Sequence, residues 1–278
     1  MNCPYCREPV RPHERTCAAC STDCGFPNVR AARQTAEVQA LTDRVAAAEA
    51  YANTNGTAVL LAQLRDAGKR SRAVRVRSLD EVHALVKSDD KLLGTFHDLK
   101  GAGLLRPAAT EMEAARQSAE PLVFLNYHEK IQFAALTLND EGLFTYGNCA
   151  MVFQDEKIAN RATVFEENCV FFCQRHNLGP AKTKVPPGHR ATWENRGDLV
   201  AAKLGARLQA STAASEFPSL LLNSNINPLK DDFVEVHIYD RLHRSALDYV
   251  VVKSRRPGDK ALIRQMKADL GADRVKEA

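Results

Sequence analysis

No run of this 278-residue chain approaches the roughly 20 apolar residues that a membrane-spanning helix needs. No apolar stretch of the kind that opens a secretory signal follows Met1, so the expectation is a cytoplasmic chain. Aromatics are scarce, at 6% with one tryptophan, so the core must be mostly aliphatic and alanine-rich. A strong charge of either sign is missing too. The net charge of +4 does not by itself announce a nucleic-acid binder. There is no internal repeat and no glycine-rich, phosphate-cradling loop of either common type. What is present suffices for a globular protein: apolar residues make up 45% of the chain, with room for one large domain or two small ones.

The cysteines carry the most specific signal. Five of the eight fall within residues 3–24. Two Cys-x-x-Cys knuckles, Cys3-Pro4-Tyr5-Cys6 and Cys17-Ala18-Ala19-Cys20, flank a charged loop containing Pro12. Two thiolate pairs at this spacing predict a tetrahedral zinc site with Cys3, Cys6, Cys17 and Cys20 as ligands. Metal binding in place of disulfides also agrees with a reducing compartment. So short a segment has little else to bury, so zinc would supply most of its folding free energy, on the order of 10 kcal/mol or more. Four thiolates leave no open position, which points to a structural ion. Cys24 reads either as a small apolar residue beside the site or as a ligand exchanging with Cys20. On these knuckles the segment resembles the bacterial zinc-ribbon family. That resemblance implies docking onto nucleic acid, onto a protein, or onto the chain's own downstream domain.

Beyond the ribbon (1–27), a helical linker is expected over 28–68. Val38, Leu41, Val45, Ala48 and Tyr51 form one apolar stripe on a helix of 28–52, and a second helix spans 57–67. The rest, 69–278, reads as an α+β body, mixed and mainly antiparallel, with a helical cap over 78–120. Arg72 to Arg77 alternates basic and aliphatic residues, which predicts a half-buried strand. Its cationic outer face is either simply solvated or a grip for a nucleic-acid or protein partner. Ser78 and Glu81 form a capping box that opens a helix. Strands are expected over 131–138 and 143–153 as a hairpin, and over 161–165 and 169–175 as another. A helix is expected over 192–209, a strand over 233–239, and helices over 243–252 and 259–270.

The strand 233–239 offers the best candidate chemistry. Alternation sends Val234, Val236 and Ile238 to one face and Phe233, Glu235, His237 and Tyr239 to the other. Glu235 could serve as a base or stabilise a cation, with His237 orienting a substrate or holding the carboxylate in place. The plainer reading is a strand with a mixed polar face. Cys169 and Cys173 would stand about 13 Å apart on a strand, too far for one ion, and read as buried thiols. The order His128, Tyr146, Glu235 resembles the ADP-ribosyltransferase superfamily. The resemblance implies that His128 and Tyr146 hold NAD and that Glu235 stabilises the cationic sugar, with zinc only a device for stability or targeting. The Gln-x-Glu or Glu-x-Glu signature is absent, since Phe233 stands two residues before Glu235. A non-enzymatic zinc-ribbon module that binds nucleic acid or protein is the alternative.

Overall fold

A computed structural model describes residues 1–103, 111–224, 230–253 and 256–278. Part of the expected helical cap over 78–120 lies outside these residues. The first 24 residues are two copies of one turn, 14 positions apart. Cys3 N donates to Glu8 O at 2.8 Å and Arg7 N to Cys3 O at 3.1 Å; Cys17 N donates to Thr22 O at 2.9 Å and Ser21 N to Cys17 O at 2.8 Å. Arg7 and Ser21 each close their turn with a positive φ of 68° and 58°.

Helix α1 (Pro27–Ala32) starts on a proline, which tolerates the first helical turn because its missing N–H would go unpaired there anyway. Extended Gln34 separates it from α2 (Thr35–Thr54), so the expected single helix is two. The buried stripe of α2 is Leu41, Val45, Ala48 and Ala52, while Val38 and Tyr51 are exposed. Gly56, at φ +69°, turns the chain into α3 (Ala58–Arg70). Strand β1 (Arg72–Arg77) follows, then α4 (Leu79–Val86) on the expected Ser78–Glu81 capping box. Short β2 (Leu92–Leu93), α5 (Phe96–Gly101) and α6 (Glu111–Phe124) lead to β3 (Ile131–Thr137) and β4 (Cys149–Phe153). Then come α7 (Asp155–Ile158), β5 (Ala162–Phe165), α8 (Cys169–Arg175), β6 (Arg190–Thr192) and α9 (Arg196–Leu204). The chain closes through α10 (Phe217–Leu221), β7 (Leu222–Asn223), β8 (Asp232–Phe233), β9 (Glu235–Tyr239), β10 (Leu242–His243), β11 (Leu247–Val252), α11 (Asp259–Leu270) and β12 (Val275–Glu277).

The fold is α+β. One eight-stranded sheet runs in the order β12-β11-β4-β1-β3-β9-β5-β6. All of its pairings are antiparallel except β11 with β12. Its main core unites α2, α3, α9, α4 and α11 with the sheet through Leu41, Leu64, Val82, Leu204, Val236 and Ile263. The helices of 28–68 therefore share a core with the sheet. A second cluster lies under α6 and α8. Helices α3 and α9 meet backbone to backbone: a Cβ on Gly197 would fall 2.5 Å from Arg65 O, and one on Gly68 3.0 Å from Gly197 Cα.

Several sequence expectations change. Strand β1 separates β3 from β4, so 131–138 and 143–153 do not pair with each other. The second of these is a strand only from Cys149. Before it Gly147 lies flat on β1, where a Cβ would come 2.2 Å from the Arg77 carbonyl carbon. Segment 169–175 is helical. Its buried residues, Cys169, Val170, Phe172 and Cys173, fit a helical face, and Asn168 caps it by accepting from Val170 N at 2.9 Å. Cys169 and Cys173 are thus one turn apart, not 13 Å along a strand, and both are buried free thiols. Segment 247–252 is a strand, favoured by three successive β-branched residues, Val250 to Val252. The central strand β1 does not present a solvated cationic face, because Arg75 is only 5% exposed.

Candidate metal centre and the buried acid–imidazole pair

The sulfurs of Cys3, Cys6, Cys17 and Cys20 all lie within 4.8 Å of one another. Cys3 Sγ is 3.6 Å from Cys20 Sγ and Cys6 Sγ is 3.5 Å from Cys17 Sγ. A tetrahedron of Zn–S bonds near 2.3 Å has edges of about 3.8 Å, so the four thiols can hold a metal ion of that kind. A hydrogen bond from the backbone N–H of Cys6 helps pull the Cys3 thiol down to about 6. The Thr22 side chain lowers Cys20 in the same way. Against a hydrogen bond from the Glu8 backbone, the neighbouring Cys20 and Cys17 thiols push Cys6 up to about 12, so the bias towards the thiolate that a metal requires falls on Cys3 and Cys20. Cys24 lies outside this group. Its buried sulfur faces Thr22 O at 3.4 Å, and burial followed by the neighbouring cysteines raises its proton affinity.

The ribbon is fastened to the body by α1. Arg30 donates to five ribbon carbonyls, those of Arg11, Pro12, Glu14, Cys24 and Gly25, at 2.6–3.3 Å. Arg15 stacks on Phe26, whose ring lies 5.5 Å from that of Tyr239 on β9. Asn28 donates to the carbonyls of Arg161 and His237. The sequence signals the knuckles but not this clamp, since a lone arginine after a proline has no distinctive pattern.

Glu235 and His237 sit side by side on β9, each 3% exposed, with His237 Nε2 2.8 Å from Glu235 Oε2. Neither borders open solvent. Asn168 Nδ2 reaches Glu235 Oε1 and the Cys169 N–H reaches Oε2, both at 3.3 Å. Phe124, Phe133 and Phe165 enclose the imidazole at ring distances of 4.5, 5.5 and 5.5 Å. His128 is on the turn before β3, packed edge-on against His97 at 5.3 Å with its Nδ1 2.9 Å from Leu125 O. Tyr146, 48% exposed, lies on the turn before β4. Burial raises its phenol, and Asp231 and Glu235 push it further in the same direction, against Arg116 and Arg77.

Sequence reasoning missed a second polar group under α6. Glu120 bonds His97 Nε2 at 2.7 Å and pairs with Arg116. Burial pushes the Glu120 carboxyl up, but His97 and Arg116 outweigh it and hold it below the usual range. The Arg116–Glu120 spacing of four residues on a helix was the available signal. Among known proteins, no family model matches this chain and no curated protein matches it.

Proposed function

We propose that this is a metal-binding protein in which the four-thiol knot holds a structural zinc ion and so clasps the amino end to the sheet. The observation that carries the reading is four sulfurs within 4.8 Å of one another, at a spacing that suits a tetrahedral ion. The ribbon's own apolar interior is Val10 plus the cysteines, far too little to fold alone. Metal analysis of the purified chain tests it: one zinc per chain is expected, and a Cys17→Ser chain that keeps both its metal and an ordered amino end overturns it.

Contact with a protein or nucleic-acid partner through the ribbon is a second reading. Tyr5 favours it, standing 79% exposed at the tip of the first knuckle. An ADP-ribosyltransferase-like activity would require NAD to reach Glu235. Tyr146 within the field of Glu235 supports that. The buried, hydrogen-bonded carboxylate counts against it. NAD consumption that vanishes in a folded Glu235→Gln variant would establish the activity. On the structural reading no NAD is consumed by either chain.

A further inference from the structure

A cleft opens where the ribbon meets the body. It encloses about 500 Å³, within the range of about 300–1,000 Å³ in which small-molecule sites fall. Met1 and Pro12 of the ribbon line it together with Leu122 and Val123 of α6 and Val185 and Pro187 of the loop before β6. Polar groups converge on this apolar lining. Tyr127 is 4% exposed and Glu37 of α2 is 8% exposed. Arg190 of β6 brings its Nε to 3.2 Å from Glu37 Oε1. Glu37 also accepts from Gly188 N at 2.7 Å, which ties the loop to α2 and holds the cleft in shape before anything enters it.

Part of the lining is built at a conformational cost. Leu125 follows α6 with φ +52°, the left-handed position that glycine usually fills after a helix. A bulky residue is an outlier there. Leu125 lines the cleft and is 51% exposed, so burial within the chain does little to offset the strain. Strain of this kind gathers at ligand sites. Charge narrows the choice of ligand. Arg30, Lys184 and Arg190 line the cleft against the single carboxylate of Glu37. Arg30 spends its donors on neutral ribbon carbonyls. Lys184 is exposed and, among the described residues, forms no ion pair.

We propose that this cleft binds a small organic acid, a single carboxylate on an apolar body. The body would lie along Leu122, Leu125, Val185 and Pro187. The carboxylate would pair with Lys184, with Arg30 and Arg190 adding positive charge. A wholly polar anion would leave the apolar lining unused, and a neutral apolar molecule would leave the excess of cations unanswered. The inference does not rest on the zinc reading, because the three cations, Glu37 and Leu125 all lie outside the ribbon.

The test uses the full chain as purified, in a buffer free of organic acids. Octanoate and its neutral counterpart octanamide are titrated by calorimetry and by thermal unfolding. Saturable binding of octanoate with a rise in Tm is expected below about 5 mM, and octanamide is expected to bind at least tenfold more weakly. Lys184→Gln should weaken octanoate severalfold and leave octanamide unchanged. Asparagine tolerates the left-handed position, so Leu125→Asn should weaken both probes without lowering the Tm of the unliganded chain. Lys260→Gln on α11 should leave both affinities as they are. Absence of saturation by octanoate overturns the proposal, as does equal affinity for the two probes. So does a Lys184→Gln or Leu125→Asn chain that binds octanoate as tightly as the parent, or an equal loss in Lys260→Gln.

Discussion

The ribbon and the body hold their shapes by different physics. Residues 1–24 have a few sulfurs and Val10 inside, two near-identical turns, and one long arginine tying them down. The body buries a sheet from both faces under helices drawn from the whole chain. The ribbon's order is thus local and chemical, concentrated in four atoms, while the body's is distributed and non-local. A local device should fail alone; a distributed one should fail as a unit.

The largest expected effect separates the two. If the knot holds zinc as proposed, stripping it with a chelator removes a binding term on the order of 10 kcal/mol from the amino end. Amide exchange should then become fast over residues 1–24 while the sheet keeps its protection and a single cooperative transition. Loss of protection throughout the sheet would show that the comparison is drawn too sharply.

A smaller effect tests how the body secures α2. Glu166 pairs with Arg44 of α2 at 2.8 Å, with Arg175, and with His189. Burial pushes its carboxyl up, but these partners outweigh it and bring it from 4.5 to about 2. A depressed carboxylate contributes fully above pH 4.5, and the contribution fades as the pH falls towards 2. The shift amounts to about 3 kcal/mol. Chemical denaturation as a function of pH should show this loss in the parent and not in Glu166→Gln. Equal acid sensitivity in the two chains would remove Glu166 as the cause.

Smaller still is the effect of a methyl group at the α3–α9 crossing. Gly197→Ala must push against the Arg65 carbonyl and should cost about 1–3 kcal/mol of body stability. Zinc content should not change. An unaltered unfolding midpoint would mean that the two helices can separate without penalty.

Legibility followed the same division. The capping box at Ser78–Glu81, the strand at 72–77 and the helix at 259–270 were readable because each is written in adjacent residues. Segment 169–175 was not. Its Val-Phe-Phe run suits a strand by propensity, and only packing against α6 and the Asn168 cap makes it a helix. The pairing of β3 with β1 and β9 was unreadable for a related reason, since strand order depends on which apolar faces meet across long separations. At the candidate site, alternation along β9 placed Glu235 and His237 on one face correctly. It could not say that three phenylalanines would close that face.

Taken by itself, the sequence determined the four-thiol knot, the α+β class and the local starts and stops of several helices. These depend on residues a few positions apart, whose geometry is set by covalent spacing and backbone preference. Only the tertiary structure decided that Arg75 lies inside and that Glu235 is sealed. It also decided that Arg30 holds the ribbon by its carbonyls. Burial is a property of what arrives from elsewhere in the chain, and a strand's own alternation names its two faces without naming what covers them.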